Sequence, residues 1–359
     1  MGEFKVQRLG TIMEPEPGNA MEAQGVLNPG AVRGPDGHLY LFPRMVAEGN
    51  YSRIGIARVL FNDAGDPTGV ERLGVVLEPE ADYELRPGGG GGCEDPRVSY
   101  VEVLKHYVMT YVAFGPNGPR IAVARSTDLF KWEKVGLVSF TPYKGLEFQG
   151  IDNKDSCVFS EEILSPAGDK QFAIVHRPLF PGTTPEELAQ QPDDREIDDH
   201  RESIWISYHP LDHNKDIVIK DAKFTSHYHL ATPVAEWEKL KIGCGAPPVM
   251  TQHGWMMIYH GVSVADGQGD EKQRLTYSAG VMILSKDDPR NILYRSPRPI
   301  MKPDLPEEHV GLIANVVFPT GIDHRTDIGM PNRFDIYYGM ADDRIGVARL
   351  DVPDELPVG

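Results

Sequence analysis

Short apolar segments separated by Gly, Pro, Asn and Asp run along the whole chain, and patterns with the period of an amphipathic helix are scarce. Such segments are typical of β-strands. They occur in pairs, in which an extended segment and a loop are followed by a second segment of small and β-branched residues. The five pairs are 38–44 with 52–58, 106–113 with 120–126, 170–178 with 203–208, 254–261 with 277–284, and 333–339 with 344–350.

A further short segment precedes each pair, at 27–32, 94–98, 153–158, 245–250 and 315–318. Three such segments and a return strand make a four-stranded antiparallel blade. Five blades predict an all-β fold, a five-bladed β-propeller that takes up residues 1–359 as one domain. The first strand of each blade would line the central channel, so residues at its entrance meet from five places in the sequence. A β-sandwich is the alternative, but it does not explain a fivefold repeat of strand pairs.

One segment, 181–200, interrupts the repeat between the two strands of the third pair. Thr184, Pro185 and Glu187 form the sequence signature of a helix N-terminus, so the segment predicts a short helix followed by an acidic loop. A solvated insertion is the default interpretation. A lid and a contact in a homo-oligomer are the alternatives.

The charge balance limits the classes of partner. A formal net charge of −17 argues against binding to nucleic acid or to an anionic membrane surface. No apolar run approaches membrane-spanning length, and the N-terminus lacks the apolar core of a signal peptide, so a cytoplasmic protein is expected. The three cysteines, Cys93, Cys157 and Cys244, are far apart in sequence and predict reduced thiols rather than disulfides or a zinc site. No metal or organic cofactor is expected.

Five glycines at 88–92 precede the acidic pair Glu94 and Asp95. The glycines have no side chains to pack and predict a surface loop outside the core. Pro96 fixes its own φ and predicts an extended conformation for Asp95. Taken alone, the two carboxylates merely occupy the start of a strand. At the entrance of a propeller channel, however, Asp95 is a candidate catalytic acid.

Four basic residues of this acidic chain lie at predicted strand ends or channel-entrance segments: Arg53, Lys154, Arg177 and Lys241. Together they predict a site for phosphate or carboxylate, because Arg binds such anions through parallel N–H donors and Lys adds a point charge. Each also has a purely structural explanation, as a surface charge or as one half of an ion pair. Their predicted convergence is what favours a ligand.

Several of these segments resemble motifs of glycoside hydrolase family 130, which comprises β-mannoside phosphorylases and related β-mannosidases. The matching pieces are 94–97 (EDPR), 153–155 (NKD), 176–178 (HRP), 241–245 (KIGCG), 254–255 with 259–261, 315–318 and 337–342. They occur in the family's order between about residues 52 and 349. The resemblance implies a five-bladed propeller, in agreement with the repeat of strand pairs.

The resemblance also implies a reaction, in which inorganic phosphate attacks the anomeric carbon of a terminal β-mannoside and forms α-mannose 1-phosphate with inversion. It implies that Asp95 is the general acid and passes its proton to the glycosidic oxygen through a sugar hydroxyl. The implied phosphate-binding residues are Ser52, Arg53, Lys154, Arg177 and Lys241. The implied substrate-binding residues are Glu94, Asp155, Tyr259, His260 and Asp342. Taken singly, Tyr259 and His260 are as well explained by the core, and Asp342 by a turn.

Elementary chemistry favours the phosphorylase. An inverting glycosidase needs a second carboxylate roughly 6.5–9.5 Å from the acid to activate water. Phosphate is already an anionic nucleophile, so one acid and a positively charged site are enough. A β-mannosidase on the same fold, with Glu94, Asp155 or Glu307 as base, and a non-catalytic carbohydrate-binding propeller are the alternatives. The linkage (β-1,2 or β-1,4), the acceptor sugar and the oligomeric state stay open.

Overall fold

The computed structural model describes residues 2–181, 199–212, 223–264 and 275–357. Nearly all of their regular structure is β-strand, which confirms the all-β prediction. Within these ranges the helices are limited to single turns. They are the 3-10 turns Ala20–Glu22, Glu102–Leu104, Glu236–Glu238 and Arg325–Ile328, and the α-helical turn α1 at Pro306–His309. The helix predicted within 181–200 falls almost entirely on residues outside the described ranges.

Twenty-four strands lie within the described ranges. The N-terminal strand is β1 (Lys5–Met13). The first unit contains β2 (Gly25–Arg33), β3 (Leu39–Ala47), β4 (Tyr51–Phe61) and β5 (Pro67–Leu77), and the second contains β6 (Gly91–Val101), β7 (His106–Gly115), β8 (Gly118–Ser126) and β9 (Glu133–Leu137). The third contains β11 (Asp152–Val158), β12 (Ile163–Leu164), β13 (Lys170–Leu179), β14 (Ile204–His209) and β16 (Ser226–Ala231), with β10 (Ser139–Phe140) and β15 (Lys223–Phe224) paired beside it.

The last two units complete the list. The fourth contains β17 (Lys241–Cys244), β18 (Val249–Thr251), β19 (Gly254–Val264), β20 (Leu275–Leu284) and β21 (Ile292–Arg295), and the fifth contains β22 (Val317–His324), β23 (Arg333–Met340) and β24 (Arg344–Asp351). Each unit is an antiparallel sheet whose strands follow one another in sequence order, and β1 pairs with β24 as the fourth strand of the fifth unit. A short parallel pairing of β4 with β6 joins the first two units into one sheet.

The five predicted strand pairs are confirmed as the antiparallel pairs β3–β4, β7–β8, β13–β14, β19–β20 and β23–β24. The first strands of the units also contact one another, β2 with β6 and β22, and β11 with β6 and β17. The first strands begin within a few residues of the predicted segments, and the start of the fourth unit differs most. The fourth unit begins at Lys241 rather than at Gly245, because residues 241–244 pair directly with β19.

A bulge interrupts the first strand of each of the first three units. Register against the second strand shifts at Asn28, Asp95 and Asp155, whose φ angles are 43°, 46° and 52°. Asn and Asp tolerate this left-handed region better than most residues, and a bulge re-aims the side chain at the kink. The extended conformation predicted for Asp95 is therefore wrong. Pro96 disfavours the right-handed helical region for its neighbour, and the left-handed region satisfies that restriction too.

The end of the glycine run is buried, contrary to the expectation that the whole run lies outside the core. Gly91 and Gly92 have φ angles of 100° and 107° and sit where β6 meets β4. A Cβ atom on Gly92 would lie 2.2 Å from the carbonyl oxygen of Ser52. Glycine is therefore required here by the close approach of two strands.

The core consists of apolar clusters, several of which bring neighbouring units together. All three cysteines are buried and free, as predicted. Two that are distant in sequence are neighbours in space, since the Sγ atoms of Cys157 and Cys244 lie 2.9 Å apart between the third and fourth units. Burial raises the pKa values of Cys93 and Cys157 well above that of an ordinary thiol, which makes both poor nucleophiles.

Candidate active site

A cavity of about 380 Å³ opens where the first strands of the units approach one another. Eight of the residues predicted from sequence line it: Glu94, Asp95, Lys154, Asp155, Arg177, Lys241, His260 and Asp342. They come from the second, third, fourth and fifth units, so the predicted convergence of distant segments is observed. We call this space the active-site cavity.

Three carboxylates, which we call the carboxylate cluster, occupy one side of the active-site cavity: Glu94, Asp95 and Asp342. Arg44 donates from Nη2 to Oε1 of Glu94 (2.8 Å) and from Nη1 to Oδ1 of Asp95 (3.2 Å). The side-chain amide of Asn28 also donates to Oδ1 of Asp95 (2.9 Å). The Asp95 carboxyl is thereby fixed in position by two residues of the first unit.

Sequence reasoning missed Arg44 and Asn28, although a signal existed for both. Arg44 lies opposite the residue before the β2 bulge, just as Arg177 lies opposite the residue before the β11 bulge. Asn28 occupies the same bulge position as Asp95 and Asp155. An alignment of the repeats on their bulges would therefore have placed both residues at the cavity.

The members of the carboxylate cluster differ in their affinity for a proton. Burial acts to raise the pKa of Asp95, but the guanidinium groups of Arg44 and Arg97 outweigh it and hold that pKa below its usual value. Burial raises the pKa of Glu94 despite Arg44. The pKa of Asp342 is raised to about 6, chiefly by burial. The Arg44 charge offsets part of this rise, and the charges of Asp95 and Glu94 increase it.

Asp155 is the centre of a second group of side chains at the cavity, which are cationic and polar. Arg177 donates from Nε to Oδ2 of Asp155 (2.5 Å), and Arg97 donates from Nη2 to Oδ1 (3.5 Å). Burial opposes ionisation of Asp155, but Arg177, His260 and Arg97 outweigh it and lower the pKa of the carboxyl. Asp155 therefore stays charged and holds the Arg177 side chain at the cavity wall.

Three cations form what we call the anion cradle: Lys154, Arg177 and Lys241. Lys154 takes part in no ion pair within the described residues, and its ammonium lies 5.6 Å from the centre of the Phe114 ring. The structural explanation of Lys154, an ion pair with the nearby Asp152 or Asp155, is not observed: Asp152 pairs with Arg120, and Asp155 pairs with Arg177 and Arg97. The Lys154 charge is therefore available to a ligand.

Lys241 and Arg177 share a carboxylate that sequence reasoning missed, Glu202. Its Oε1 lies 3.6 Å from Nζ of Lys241, and its Oε2 contacts Nη1 of Arg177. The pKa of Lys241 is lowered to about 8, chiefly by burial and then by the Arg177 charge, with Asp155 acting in the opposite direction. Lys241 is thus a cation whose charge depends on pH near neutrality.

His260 also lines the cavity and lies next to Asp155. It is fully buried, and its pKa is lowered to about 3 by burial, an effect that Asp155 opposes and Arg177 strengthens. Neither ring nitrogen has a hydrogen-bond partner among the described residues, although Nε2 lies 3.5 Å from Oδ2 of Asp155. A neutral imidazole with unused polar atoms at a cavity wall is suited to a neutral ligand group such as a hydroxyl.

The remaining wall is apolar and was not predicted. It is formed by Leu275, Tyr277, Ile313, Val316 and Phe318. The Phe318 ring lies 4.5 Å from the ring of His260, centre to centre. A cavity with one apolar wall and convergent polar groups is typical of a small-molecule site, and it matches a sugar, which has both hydroxyls and apolar C–H faces.

The structure corrects the placement of three predicted residues, which do not line the cavity. Ser52 is buried, and its Oγ accepts from Nε of Arg44 (2.9 Å). Arg53 points the other way along β4 and donates from Nε to the Glu78 carboxylate (3.0 Å). Successive residues of a strand face opposite sides, so Tyr259 lies in the core while His260 faces the cavity. The ligand-binding roles given to these three residues stay predictions.

Within the described parts of the chain, no group of three or more His, Cys, Asp and Glu side chains is arranged to hold a metal ion. The helices of those same parts include none that is long and apolar enough to cross a membrane.

Gly243 leaves room for Asp155 and His260 beside the anion cradle, and replacing it with Ala tests this. A Cβ atom there would lie 2.3 Å from Oδ2 of Asp155 and 2.5 Å from Cε1 of His260. We expect Gly243→Ala to displace both side chains, to lower the free energy of unfolding by about 1–3 kcal/mol, and to weaken anion binding. Thermal unfolding and phosphate titration measure the two effects. Gly69→Ala is the control, since nothing lies within 4 Å of a Cβ there; equal effects of both variants would contradict the prediction.

The chain matches one protein family over nearly its whole length. Residues 6–356 match the family glycoside hydrolase 130, described as beta-1,4-mannooligosaccharide phosphorylase. A 1,2-beta-oligomannan phosphorylase of Thermoanaerobacter sp. (strain X514) is 29% identical over 98% of this chain and 99% of its own. A beta-1,2-mannobiose phosphorylase of the same strain is 30% identical over 74% of this chain and 68% of its own.

A solved structure shows the same fold. The beta-1,2-mannobiose phosphorylase from Listeria innocua, in complex with beta-1,2-mannobiose, superposes with a TM-score of 0.68 at 21% identity and covers 97% of each chain. The sequence match extends over nearly the whole chain, and the fold agrees with it. The chain therefore belongs to glycoside hydrolase family 130.

Proposed function

We propose that this chain is an inverting β-mannoside phosphorylase, a cytoplasmic enzyme that cleaves a terminal β-mannoside with inorganic phosphate to give α-mannose 1-phosphate. The observation that carries the proposal is one cavity lined both by the carboxylate cluster with Asp95 and by the anion cradle, whose Lys154 has no ion-pair partner among the described residues. The cradle supplies the positive charge that a phosphate nucleophile needs. The names and lengths of the relatives described above support the same activity.

In the proposed reaction, an oxygen of phosphate attacks the anomeric carbon as the bond from that carbon to the glycosidic oxygen breaks. The departing oxygen takes a proton that originates on Asp95, through a hydroxyl of the sugar, and Asp95 is left ionised. Arg44 and Asn28 position Asp95. The pKa of Asp95 is low in the empty cavity, and the negative charge of bound phosphate acts to raise it.

The anion cradle argues for phosphorolysis over hydrolysis. A hydrolase would need a carboxylate free to activate water, whereas Asp155 is held by Arg177 and Arg97, and Glu202 by Arg177 and Lys241. A carboxylate that is paired with cations is a weak base. Glu94 is likewise bound by Arg44, and Glu307 does not line the cavity. Asp342, whose pKa is raised to about 6, is the carboxylate that a hydrolase would use as base, so the dependence on phosphate decides between the two reactions.

The proposal includes a five-bladed β-propeller formed by the whole chain as one catalytic domain. Five consecutive antiparallel units, each with four strands along its main path, the contacts between their first strands, and the closure of the fifth unit by β1 support this arrangement. A ring closed by the N-terminal strand ties the two ends of the chain together and leaves only short strand edges exposed.

Among linkages, we propose β-1,2 as the first to test. The relative that matches over its full length is named for 1,2-β-oligomannan, and the solved relative is named for β-1,2-mannobiose. The family description names β-1,4-mannooligosaccharides, so that linkage comes second.

The proposal is tested by incubating the protein with β-1,2- or β-1,4-mannobiose, with and without phosphate, and by measuring α-mannose 1-phosphate. We expect release only when phosphate is present, and with one linkage far more than with the other. Free mannose at the same rate with and without phosphate would instead identify a hydrolase. Binding of the sugars without turnover would identify a non-catalytic carbohydrate-binding protein.

A pH dependence follows for phosphate. Lys241 has a pKa of about 8, lowered by burial, so it loses its charge as the pH rises through that value. Between pH 7.5 and 9.5, where phosphate remains a dianion, we expect the KM for phosphate to rise by up to about tenfold per pH unit above 8. Lys241→Arg keeps its charge over this range, so its KM should stay flat. A wild-type KM that does not change would contradict the role of Lys241.

A further inference from the structure

Glu202 is an acidic residue in a place where the proposed reaction has no evident use for one. Its two carboxylate oxygens face two members of the anion cradle, Oε1 toward Lys241 at 3.6 Å and Oε2 toward Nη1 of Arg177. A second anion bound by the same two cations must lie beside this carboxylate. Two anions side by side normally repel each other.

Glu202 is held in this position by the fold. The backbone carbonyl of Glu202 accepts from the backbone N–H of Ile242 (3.1 Å), the residue after Lys241. Ser203, which follows it, is buried at the entrance to β14. The carboxylate is therefore anchored next to Lys241 at the end of a strand and is not carried by a freely moving loop.

The cations retain donors for another anion while Glu202 is in place. A guanidinium carries five N–H donors and an ammonium carries three. Arg177 directs Nε to Asp155 and Nη1 to Glu202, which leaves the donors of Nη2. Lys154 adds a charge without an ion-pair partner among the described residues.

The charges nearest Glu202 are mostly positive. Four cations are grouped here: Arg97, Lys154, Arg177 and Lys241. Asp155 and Glu202 pair with members of this group, and the carboxylate cluster shares the charges of Arg97 and Lys154. His260 adds no charge near neutral pH, because its pKa is lowered to about 3.

We propose that Glu202 is a specificity-determining residue of the anion cradle, and that it accepts a hydrogen bond from the protonated oxygen of a tetrahedral oxyanion. This inference rests on the proposed function, because it concerns the anion that enters the same site. Monohydrogen phosphate and monohydrogen arsenate carry such a proton at neutral pH. Sulfate has the same shape and charge but carries no proton, so its lone pairs would face the lone pairs of Glu202.

The selectivity has a chemical consequence for the enzyme. A cradle built only from Arg and Lys would bind any divalent tetrahedral anion in proportion to its charge. With a carboxylate as hydrogen-bond acceptor, the site recognises the proton of the anion. In the same way, a site built to pair with a hydrogen-bond donor of a ligand rejects an analogue without that donor. Sulfate then neither blocks the site nor competes with phosphate.

The test is calorimetric titration of the full-length protein with phosphate, arsenate and sulfate at pH 7.5 and constant ionic strength, for the wild type, Glu202→Gln and Asp199→Asn. Gln keeps the shape of Glu but can donate to sulfate through its amide. Asp199 lies three residues away and pairs with Arg201, so its variant removes an equal charge outside the cradle. Release of α-mannose 1-phosphate is assayed separately for each protein.

We expect the wild type to bind phosphate and arsenate about 100-fold more tightly than sulfate. Glu202→Gln should reduce this ratio of affinities by about tenfold or more, because a hydrogen bond that Glu202 accepts from the anion is exchanged for one that Gln donates to it. Asp199→Asn should leave the ratio unchanged. A wild type that does not discriminate, a Glu202→Gln variant that weakens or tightens all three anions in parallel, or an equal change in Asp199→Asn would overturn the proposal. Selectivity without release of mannose 1-phosphate would support it while refuting the phosphorylase.

Discussion

Replacing Asp95 with Asn is expected to lower kcat for phosphorolysis of a β-mannobiose by about a thousandfold, the range that a general acid contributes. The amide has no acidic proton to give to the glycosidic oxygen, so the leaving sugar must depart as an alkoxide. Binding of phosphate should change little, because Lys154, Arg177 and Lys241 remain. The measurement is the initial rate of mannose 1-phosphate release at saturating concentrations of both substrates.

The backbone at this position makes Asn the right replacement. Asp95 has a φ of 46°, a region that Asn tolerates and that most other residues occupy only at a cost. The amide oxygen of Asn can also keep accepting from Asn28 and Arg44, whose bonds hold the carboxyl in place. We therefore expect the variant to unfold at nearly the same temperature as the wild type.

A second substrate separates loss of the acid from loss of structure. An aryl β-mannoside with an acidic phenol as leaving group needs no proton to depart, so Asp95→Asn should be much less impaired with it. Asp343→Asn is the matched control, because Asp343 pairs with Arg344 and does not line the cavity. Equal impairment of Asp95→Asn with both substrates would refute the role of Asp95 as the acid.

Replacing Arg177 with Ala is expected to raise the KM for phosphate by about 100-fold, as expected for the loss of charge-assisted hydrogen bonds to an anion. The KM for the sugar should change by only a few fold, because Arg177 pairs with Asp155 and Glu202 rather than with the carboxylate cluster. Steady-state kinetics with each substrate varied in turn measures the two constants.

The position of Arg177 complicates this variant and suggests a companion. Arg177 neutralises both Asp155 and Glu202, and removing one partner of a buried ion pair costs about 3–5 kcal/mol of stability. Arg177→Lys retains the charge but not the fork of donors, so it should fold well and show a smaller rise in the phosphate KM. Arg125→Ala is the control, since it breaks only the exposed pair with Glu133. Equal rises in both KM values for Arg177→Ala would show that Arg177 is purely structural.

The sequence by itself determined the strands, their pairing and most of the site. Local signals fix these features: β-branched and apolar segments form strands, and Gly, Pro, Asn and Asp separate them. A repeated segment folds alike each time it occurs, so residues at the start of each repeat could be expected to meet. Asp95, Lys154, Arg177 and Lys241 were placed correctly at the cavity by this reasoning alone.

Only the tertiary structure decided which side of each strand faces the cavity and which charges share it. Side chains alternate along a strand, so His260 lines the cavity while its neighbour Tyr259 lies in the core. A bulge reverses that alternation locally. Asp95 therefore faces the cavity from a left-handed backbone conformation that the sequence did not predict. The contacts of Arg44 with Asp95, and of Glu202 with Lys241, join residues that are far apart in the chain. An alignment of the repeats can place Arg44 at the cavity, but the carboxylate that it contacts is decided only when the separate units pack together.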